Sequence, residues 1–409
     1  MKERVILHCD CNSFFASVET ALNPKYRGVP MAVCGSAEER HGIVLAKNEE
    51  AKKYGIKTAE TVFSAKKKCP NLVISSPHYE EYVKYSRKAN EIYSRYTDMI
   101  EPFGIDESWL DVTVSSVFGT GMEIAEKIRR EIKDELGITV SIGVSFNKVF
   151  AKLGSDYKKP DAITEISRRN FEKIVYPLPV SDLLFVGNKT AEALKALGIK
   201  TIGELAQTSP ELLSMKFGKA GILLSKYSRG EDDSTVEPQN ERGSKSIGNG
   251  YTFRHDLVGR EECRIGINFL SEEIGAKLRA RGLKCATVQL SIKDEFLRTI
   301  QRQKSQNPPT DISTVIADTA YEILCSEWSS ERPVRMITVT AMNLTSGDGV
   351  AEQIDMFSGE GAYEERKRME KRENAIDEIR EKFGADSIVR ASVMDPELGL
   401  YKYKSGDSD

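Results

Sequence analysis

The apolar pattern of this 409-residue chain changes period twice, and that succession constrains the fold more than any single motif does. Up to about residue 165, runs alternating at period two are interleaved with runs spaced at three and four. Arg4–Cys9 alternates and ends on Asp10, which reads as a strand, and Asn12–Leu22 has helical spacing at Phe14, Phe15, Val18 and Leu22. Strands are expected at Val29–Cys34 and Gly42–Ala46, short helices at Glu49–Tyr54 and Thr61–Cys69, and a longer helix at Tyr79–Met99. Ile100–Phe103 and Ser108–Val112 read as a hairpin, Met122–Leu136 as a helix, Val140–Ser145 as a strand and Lys148–Tyr157 as a helix. Such alternation predicts an α/β unit with a mixed sheet. From Arg168 to Tyr227 only helical spacing remains, punctuated by Gly198, Gly203 and Gly218. Arg229–Arg242, with three consecutive acids and Pro238, reads as a polar linker with little to pack. Strands and helices then run in the order βαββαβ between Ser246 and Leu344, a small α+β domain. A polar stretch and a charged helix at Tyr363–Phe383 close the chain.

Composition excludes several classes. With 40% hydrophobic and 30% charged residues, the chain is too apolar for disorder and reads as globular. No apolar run approaches the roughly 20 residues that span a bilayer, and the first ten residues lack a signal-peptide pattern. Seven scattered cysteines argue for a reducing, cytoplasmic setting rather than a disulfide framework. A net charge of −3 argues at face value against nucleic acid, but the sign comes from one end. Residues 346–409 hold 10 basic and 16 acidic side chains, against 49 and 46 in everything before them. The body is mildly basic and the tail acidic, which permits a nucleic-acid partner without demonstrating one.

Two places set carboxylates where a core would not want them. Asp10 ends an apolar strand, followed by Cys11 and Asn12, and Asp106-Glu107 are adjacent after Phe103-Gly104-Ile105. Hard divalent ions take oxygen ligands and keep several waters, so two or three carboxylates plus substrate phosphates suffice. Two such ions, ~3.5–4 Å apart, stabilise both oxygens of an in-line phosphoryl displacement. Spacing alone leaves open that Asp10 is a strand-end turn residue and Asp106-Glu107 an ordinary polar hairpin.

The strings ILHCDCNSFFASVE at 6–19, GIDESWLD at 104–111 and SIGVSFNKVFAKLGSDYKKPDAI at 141–163 resemble the Y-family, lesion-bypass DNA polymerases of polymerase IV or UmuC (polymerase V) type. The resemblance can be followed from residue 4 to about 345. It implies a right-hand polymerase with palm and fingers at 1–165 and a helical thumb carrying a helix-hairpin-helix at 166–229. A linker at 230–243 and a βαββαβ little finger at 244–345 would follow, then an acidic tail at 346–409. It implies template-directed, low-fidelity addition of dNTPs to a primer 3′-OH by a two-Mg²⁺ mechanism, with Mn²⁺ able to substitute. Asp10, Asp106 and Glu107 would be the catalytic metal ligands, joined by the Cys11 backbone carbonyl. Phe15 falls at the steric gate that excludes the ribose 2′-OH, with Phe14 before it in the nucleotide pocket.

Lys52 and Lys159 are the expected triphosphate contacts. In LAKNEEAKKYG, Glu49 and Lys52 replace the Tyr and Arg of the polymerase IV branch and look more like UmuC. Lys52 would act as a point charge rather than a bidentate fork, Glu49 should point away, and Lys47 is a substitute donor. Lys148 and Lys152 are weaker candidates that could equally be solvated.

LLFVGNKTAEALKALG at 183–198 resembles a helix-hairpin-helix, with Phe185 in place of the usual first glycine, leaving Gly187 to present backbone N–H groups to a phosphate. Lys245, Arg254, Arg298, Arg302 and Lys304 are candidate DNA-backbone contacts in the little finger. Gln353-Ile354-Asp355-Met356-Phe357 resembles the bacterial sliding-clamp (beta) peptide, with Gln353, Met356 and Phe357 as its anchors. The expected partners are primer-template DNA, dNTP and that clamp, for a monomer without membrane contact; the UmuC-like fingers leave a need for accessory subunits open. A non-catalytic, clamp-docked repair scaffold is the alternative, but such a protein should have lost a carboxylate, and this chain keeps all three. A nucleotide cyclase would leave the hairpin motif, little finger and clamp peptide without purpose.

Overall fold

The computed structural model describes residues 3–36, 42–238, 245–346 and 360–394, with Leu398 and Leu400. The chain forms two compact units that divide between Arg242 and Gly243.

The first unit is built on β1 (Ile6–Cys11), whose four leading residues are fully buried. Helix α1 (Phe14–Leu22) follows directly. A small sheet, β2 (Met31–Cys34), β3 (Val44–Lys47) and β4 (Val73–Ser75), carries α2 (Glu49–Lys52) and α3 (Val62–Lys68) on a core of Ala32, Val44, Ala51, Ile56 and Ala65. Then come α4 (Tyr79–Ser94), β5 (Ile100–Pro102), β6 (Glu107–Asp111), α5 (Gly121–Leu136), β7 (Val140–Ser145), α6 (Lys148–Tyr157) and β8 (Ile163–Ile166). The main sheet has the order β5-β6-β1-β7-β8, with β1 antiparallel to both neighbours and β8 parallel to β7. β4 and β8, three and four residues long, were not among the strands expected from the sequence.

Period two decides which side chains of β1 face which layer. Leu7, Cys9 and Cys11 enter the core beneath α4 and α5, while Ile6 packs with Trp109 and Ala151 on the α6 side. His8 and Asp10 share that second side. Helix α6 lies directly on β7, because Gly143 has no Cβ: one built there would sit 1.8 Å from the Ala151 carbonyl oxygen.

The following residues are helical as expected: α7 (Phe171–Val175), α8 (Asn188–Ala196), α9 (Ile202–Gln207), α10 (Pro210–Phe217) and α11 (Lys219–Ser228) share a core with Phe146 and Phe150. The expected linker does not behave as one over its first half. Residues 230–238 have no regular structure, yet Val236 is buried against Ile6 and Trp109. Asn147 Nδ2 donates to the Gly230 carbonyl (2.8 Å), the Lys148 N–H to Asp232 Oδ2 (3.2 Å) and Arg4 to the Ser234 carbonyl (2.7 Å). Polar composition concealed this packing because partners far away in sequence satisfy the backbone.

The second unit realises the βαββαβ order with β9 (Ser246–Leu257), α12 (Gly259–Arg279), β10 (Leu283–Lys293), β11 (Thr299–Thr310), α13 (Ser313–Glu327) and β12 (Val334–Ser346). Its strands are ordered β11-β10-β12-β9, all antiparallel, with the two helices over one face. The charged helix expected at Tyr363–Phe383 is α14 (Glu360–Phe383), and it is docked on the second unit. Glu373 is buried, accepts from Ser313 Oγ (2.8 Å) and lies 3.2 Å from Arg279, which also pairs with Asp377 (2.5 Å). Val393, Leu398 and Leu400 complete the same core. Because α14 docks through ion pairs rather than an apolar stripe, periodicity could not reveal its buried side. No helix among the described residues is long and apolar enough to cross a membrane.

Candidate active site

Sheet register brings the three carboxylates together. Asp10 is paired across the strands with Glu107, and the Cys11 N–H donates to the Asp106 carbonyl oxygen at 2.9 Å. The Asn12 N–H bonds the Thr139 carbonyl (2.8 Å), so the Cys11–Asn12 backbone is held from both neighbouring strands. The residues that follow Tyr157 close the other side. Asn12 Oδ1 accepts from the Asp161 N–H (2.8 Å), and Asp161 pairs with Arg129 (2.9 Å) and Lys133 (2.8 Å). This fixes the turn from which Lys159 reaches Asp10 Oδ2 (2.7 Å) and Asp156 (2.8 Å).

Charge is unevenly settled among these groups. Burial, and then the neighbouring Asp10 and Glu107, push the Asp106 carboxyl above its usual range. Burial acts the same way on Glu107, but the facing His8 and Lys152 outweigh it and bring that group down to about 2. Lys152 Nζ lies 2.5 Å from Glu107 Oε2. Among the described residues, no three His, Cys, Asp or Glu side chains converge closely enough to hold a metal ion, Asp10, Asp106 and Glu107 included. The arrangement is instead an open carboxylate edge with lysine ammoniums on two of the three acids. That fits a hard cation completed by water and substrate phosphate, whereas a structural site would be enclosed.

Phe14 is 3% exposed and belongs to the core under the sheet, so its ring is not on the cleft side. Phe15 is half-buried and stacks on Tyr82, with centroids 4.1 Å apart and planes at 12°. Tyr82 was missed in the sequence because it reads as one more apolar position of an amphipathic helix. Glu49 accepts from Ser13 Oγ (3.1 Å) and pairs with Lys52 (2.6 Å), while Lys47 donates to Thr58 (3.0 Å). Glu49 therefore sits beside the start of α1 with its charge met by Lys52. Lys148, expected to be a phosphate contact or solvated, is neither: it is 7% exposed and pairs with Glu101 at 2.6 Å.

The residues proposed to grip DNA belong to other elements. Gly187 caps α8, and Phe185, two residues earlier, is 62% exposed at φ 68°. That left-handed backbone suits glycine and strains phenylalanine, which is why glycine is usual there. Lys245, just before β9, and Arg254, in its second half, are exposed, and Arg298 lies over the Phe296 ring at 5.7 Å. Arg302 and Lys304 pair with Glu327 (3.0 Å) and Glu322 (2.5 Å) of α13. They alternate with Gln301, Gln303 and Ser305, so the strand's open face is polar and uncharged. The segment Gln353–Phe357 lies outside the described residues.

The family described as impB/mucB/samB matches residues 9–156, and its C-terminal domain matches 244–356. This chain belongs to the Y-family of DNA polymerases. Among curated relatives, a DNA polymerase IV of Acetivibrio thermocellus is 47% identical over 394 residues, covering 96% of this chain and 98% of that protein. DNA polymerase IV 1 of Bacillus subtilis is 34% identical over 408 residues, covering 100% and 97%. A solved chimeric Y-family polymerase superposes with a TM-score of 0.75 at 26% identity, covering 84% of this chain and 99% of its own. The relatives carry the polymerase IV name despite the UmuC-like Glu49 and Lys52. As a Y-family right hand, the five-stranded sheet with its carboxylate edge is the palm.

Proposed function

We propose that this translesion-type, template-directed DNA polymerase adds dNTPs to a primer 3′-OH at the edge formed by Asp10, Asp106 and Glu107. The register of Asp10 opposite Glu107, with Asp106 next to it, carries the reading. Asp10, Asp106, Glu107 and the Cys11 carbonyl would hold two Mg²⁺ ions, or Mn²⁺ in their place. When bound, these ions supply charge stabilisation to the attacking and leaving oxygens. Lys159, held by the Asp161 turn, offers its ammonium to the triphosphate and returns to Asp10 when the phosphates leave. Phe15, braced from behind by Tyr82, closes against the sugar. An open groove of about 770 Å³ beside the carboxylate hairpin, lined by Arg87, Asn90, Phe103, Gly104 and Pro238, leaves room for the primer strand.

The thumb at 166–229 and the little finger from residue 244 would hold the duplex by sequence-independent phosphate contacts. The peptide at 353–357 would tether a cytoplasmic monomer to the sliding clamp. Primer extension with Mg²⁺ on undamaged and abasic templates tests the reading. The parent should extend both, and Asp106→Ala should lose at least about 10³-fold in rate, the scale of deleting one charge-stabilising group. Extension that persists in Asp106→Ala would remove the metal assignment.

A further inference from the structure

Behind the carboxylates lies a buried imidazole that this chemistry leaves unused. His8 is 0% exposed, shares the α6 side of β1 with Asp10, and sits edge-on to Trp109 at 5.2 Å. Its Nδ1 is 2.8 Å from Ser155 Oγ of α6, and its Nε2 is 3.3 Å from Glu107 Oε2. Nε2 has no well-aligned hydrogen-bond partner and is aimed at that carboxylate. A carboxylate only accepts, so the contact becomes a hydrogen bond when Nε2 carries the hydrogen. Nδ1 of the neutral ring is then the acceptor, and the Ser155 hydroxyl faces it as donor. That hydroxyl donates to the Lys152 carbonyl at 2.8 Å; because this carbonyl is inside α6 and keeps its helix-ladder bond, the hydroxyl hydrogen is free to turn to Nδ1 when Nε2 carries the ring hydrogen.

We propose that His8, supported at Nδ1 by Ser155, is a positioning residue that holds Glu107 Oε2 and so presents Oε1 to the divalent cation. The inference rests on the two-cation reading given above. Hydrogen-bonded outer partners of ligating carboxylates orient them and raise cation affinity. The long, off-axis approach suits a bond that tightens when the carboxylate is drawn toward its ligand. Lys152 reaches the same oxygen, but its chain is flexible and partly exposed. His8 is locked by Trp109 and Ser155 and keeps its place when Lys152 departs.

The test is Mn²⁺ titration of the full chain on a dideoxy-terminated primer-template with the matched dNTP, following free Mn²⁺ by electron paramagnetic resonance. No turnover is needed. His8→Leu should weaken Mn²⁺ binding about tenfold and lower kcat at low Mg²⁺, while KM for dNTP stays within about twofold. His8→Gln, whose amide N–H can reach the same oxygen, should recover most of the affinity, and Ser155→Ala should show a smaller loss. Parental Mn²⁺ affinity in His8→Leu would overturn the proposal, as would His8→Gln or Ser155→Ala proteins of parental melting temperature in which the amide restores nothing and the hydroxyl costs nothing. Glu107→Gln separates the two levels. Unchanged affinity in that variant removes Glu107 from the cation site altogether, whereas reduced affinity there beside parental affinity in His8→Leu removes only the role of His8.

Discussion

Phe15 owes its orientation to contacts that lie far from it in sequence. Helical spacing places Phe14 and Phe15 side by side on α1, and nothing local decides which ring enters the core. The decision comes from Tyr82, whose ring stacks on Phe15 and whose hydroxyl donates to Glu19 Oε1 at 2.5 Å. Glu19 is buried one turn along α1 and also meets His78 Nδ1 at 2.9 Å, so the support under the gate is anchored in the helix that carries it. Phe15→Ala should raise ribonucleotide insertion relative to deoxyribonucleotide insertion by about tenfold or more, since the site discriminates by excluded volume. An unchanged sugar preference in primer extension would remove the role. The residue pattern alone favoured Phe15 as a core aromatic; the family resemblance singled it out. Asp10, Asp106 and Glu107 stood out as acids where a core would not want them, but their spacing alone favoured ordinary turn residues, and the resemblance made them candidate metal ligands. His8 had the same kind of signal, a polar residue in a buried strand, but its meaning depends on Ser155, 147 residues away.

At the scale of elements, period and length served well where packing is apolar. Val140–Ser145 and Lys148–Tyr157 have the bounds that their periodicity predicts. Where polar groups do the joining, the pattern was silent. Lys148 looked like a solvated helix residue, yet it ties three segments together: Nζ reaches Glu101 (2.6 Å) and the Thr235 carbonyl (3.3 Å), and it lies over the Trp109 ring at 4.5 Å. Glu101 in turn accepts from the Glu237 N–H at 2.9 Å. Lys148→Ala removes the ammonium that buried Glu101 meets at 2.6 Å, a change that costs about 3–5 kcal/mol in comparable pairs. Denaturant unfolding should report a loss on that scale, with earlier proteolysis within 230–238. A loss below about 1 kcal/mol would mean that this segment is not fastened through Lys148. The same reasoning explains α14, whose charged sequence announces a helix but not the Arg279 and Ser313 partners that bury Glu373.

For the whole molecule, the net charge of −3 is a poor guide to DNA, because 346–409 sets its sign and three acids of the core are proposed metal ligands. A body this close to neutral should bind primer-template weakly, with a shallow dependence on salt. The structure separates the little-finger cations that should contribute. Lys245 is exposed just before β9, whereas Arg302 and Lys304 are engaged by α13. Lys245→Ala should reduce the log–log salt slope by about one and Arg302→Ala by much less; equal effects would mean that α13 releases its partners on binding. Order and type of elements made the changes of pattern legible, but the helical stretch, expected as a unit of its own, shares a unit and a core with the end of the α/β part. The docking of α14 and of 230–238 was not legible, because polar contacts between distant residues leave no period.

The central claim is that β1 and the β5–β6 hairpin present Asp10, Asp106 and Glu107 to a pair of cations. A crystal of the full chain with a dideoxy-terminated primer-template, matched dNTP and Mn²⁺ tests it directly through anomalous scattering. The account predicts two peaks about 3.5–4 Å apart, both within bonding distance of Asp10, with Asp106 and Glu107 completing them. A single peak, or peaks held by other side chains while Lys152 and Lys159 remain on Glu107 and Asp10, would contradict it.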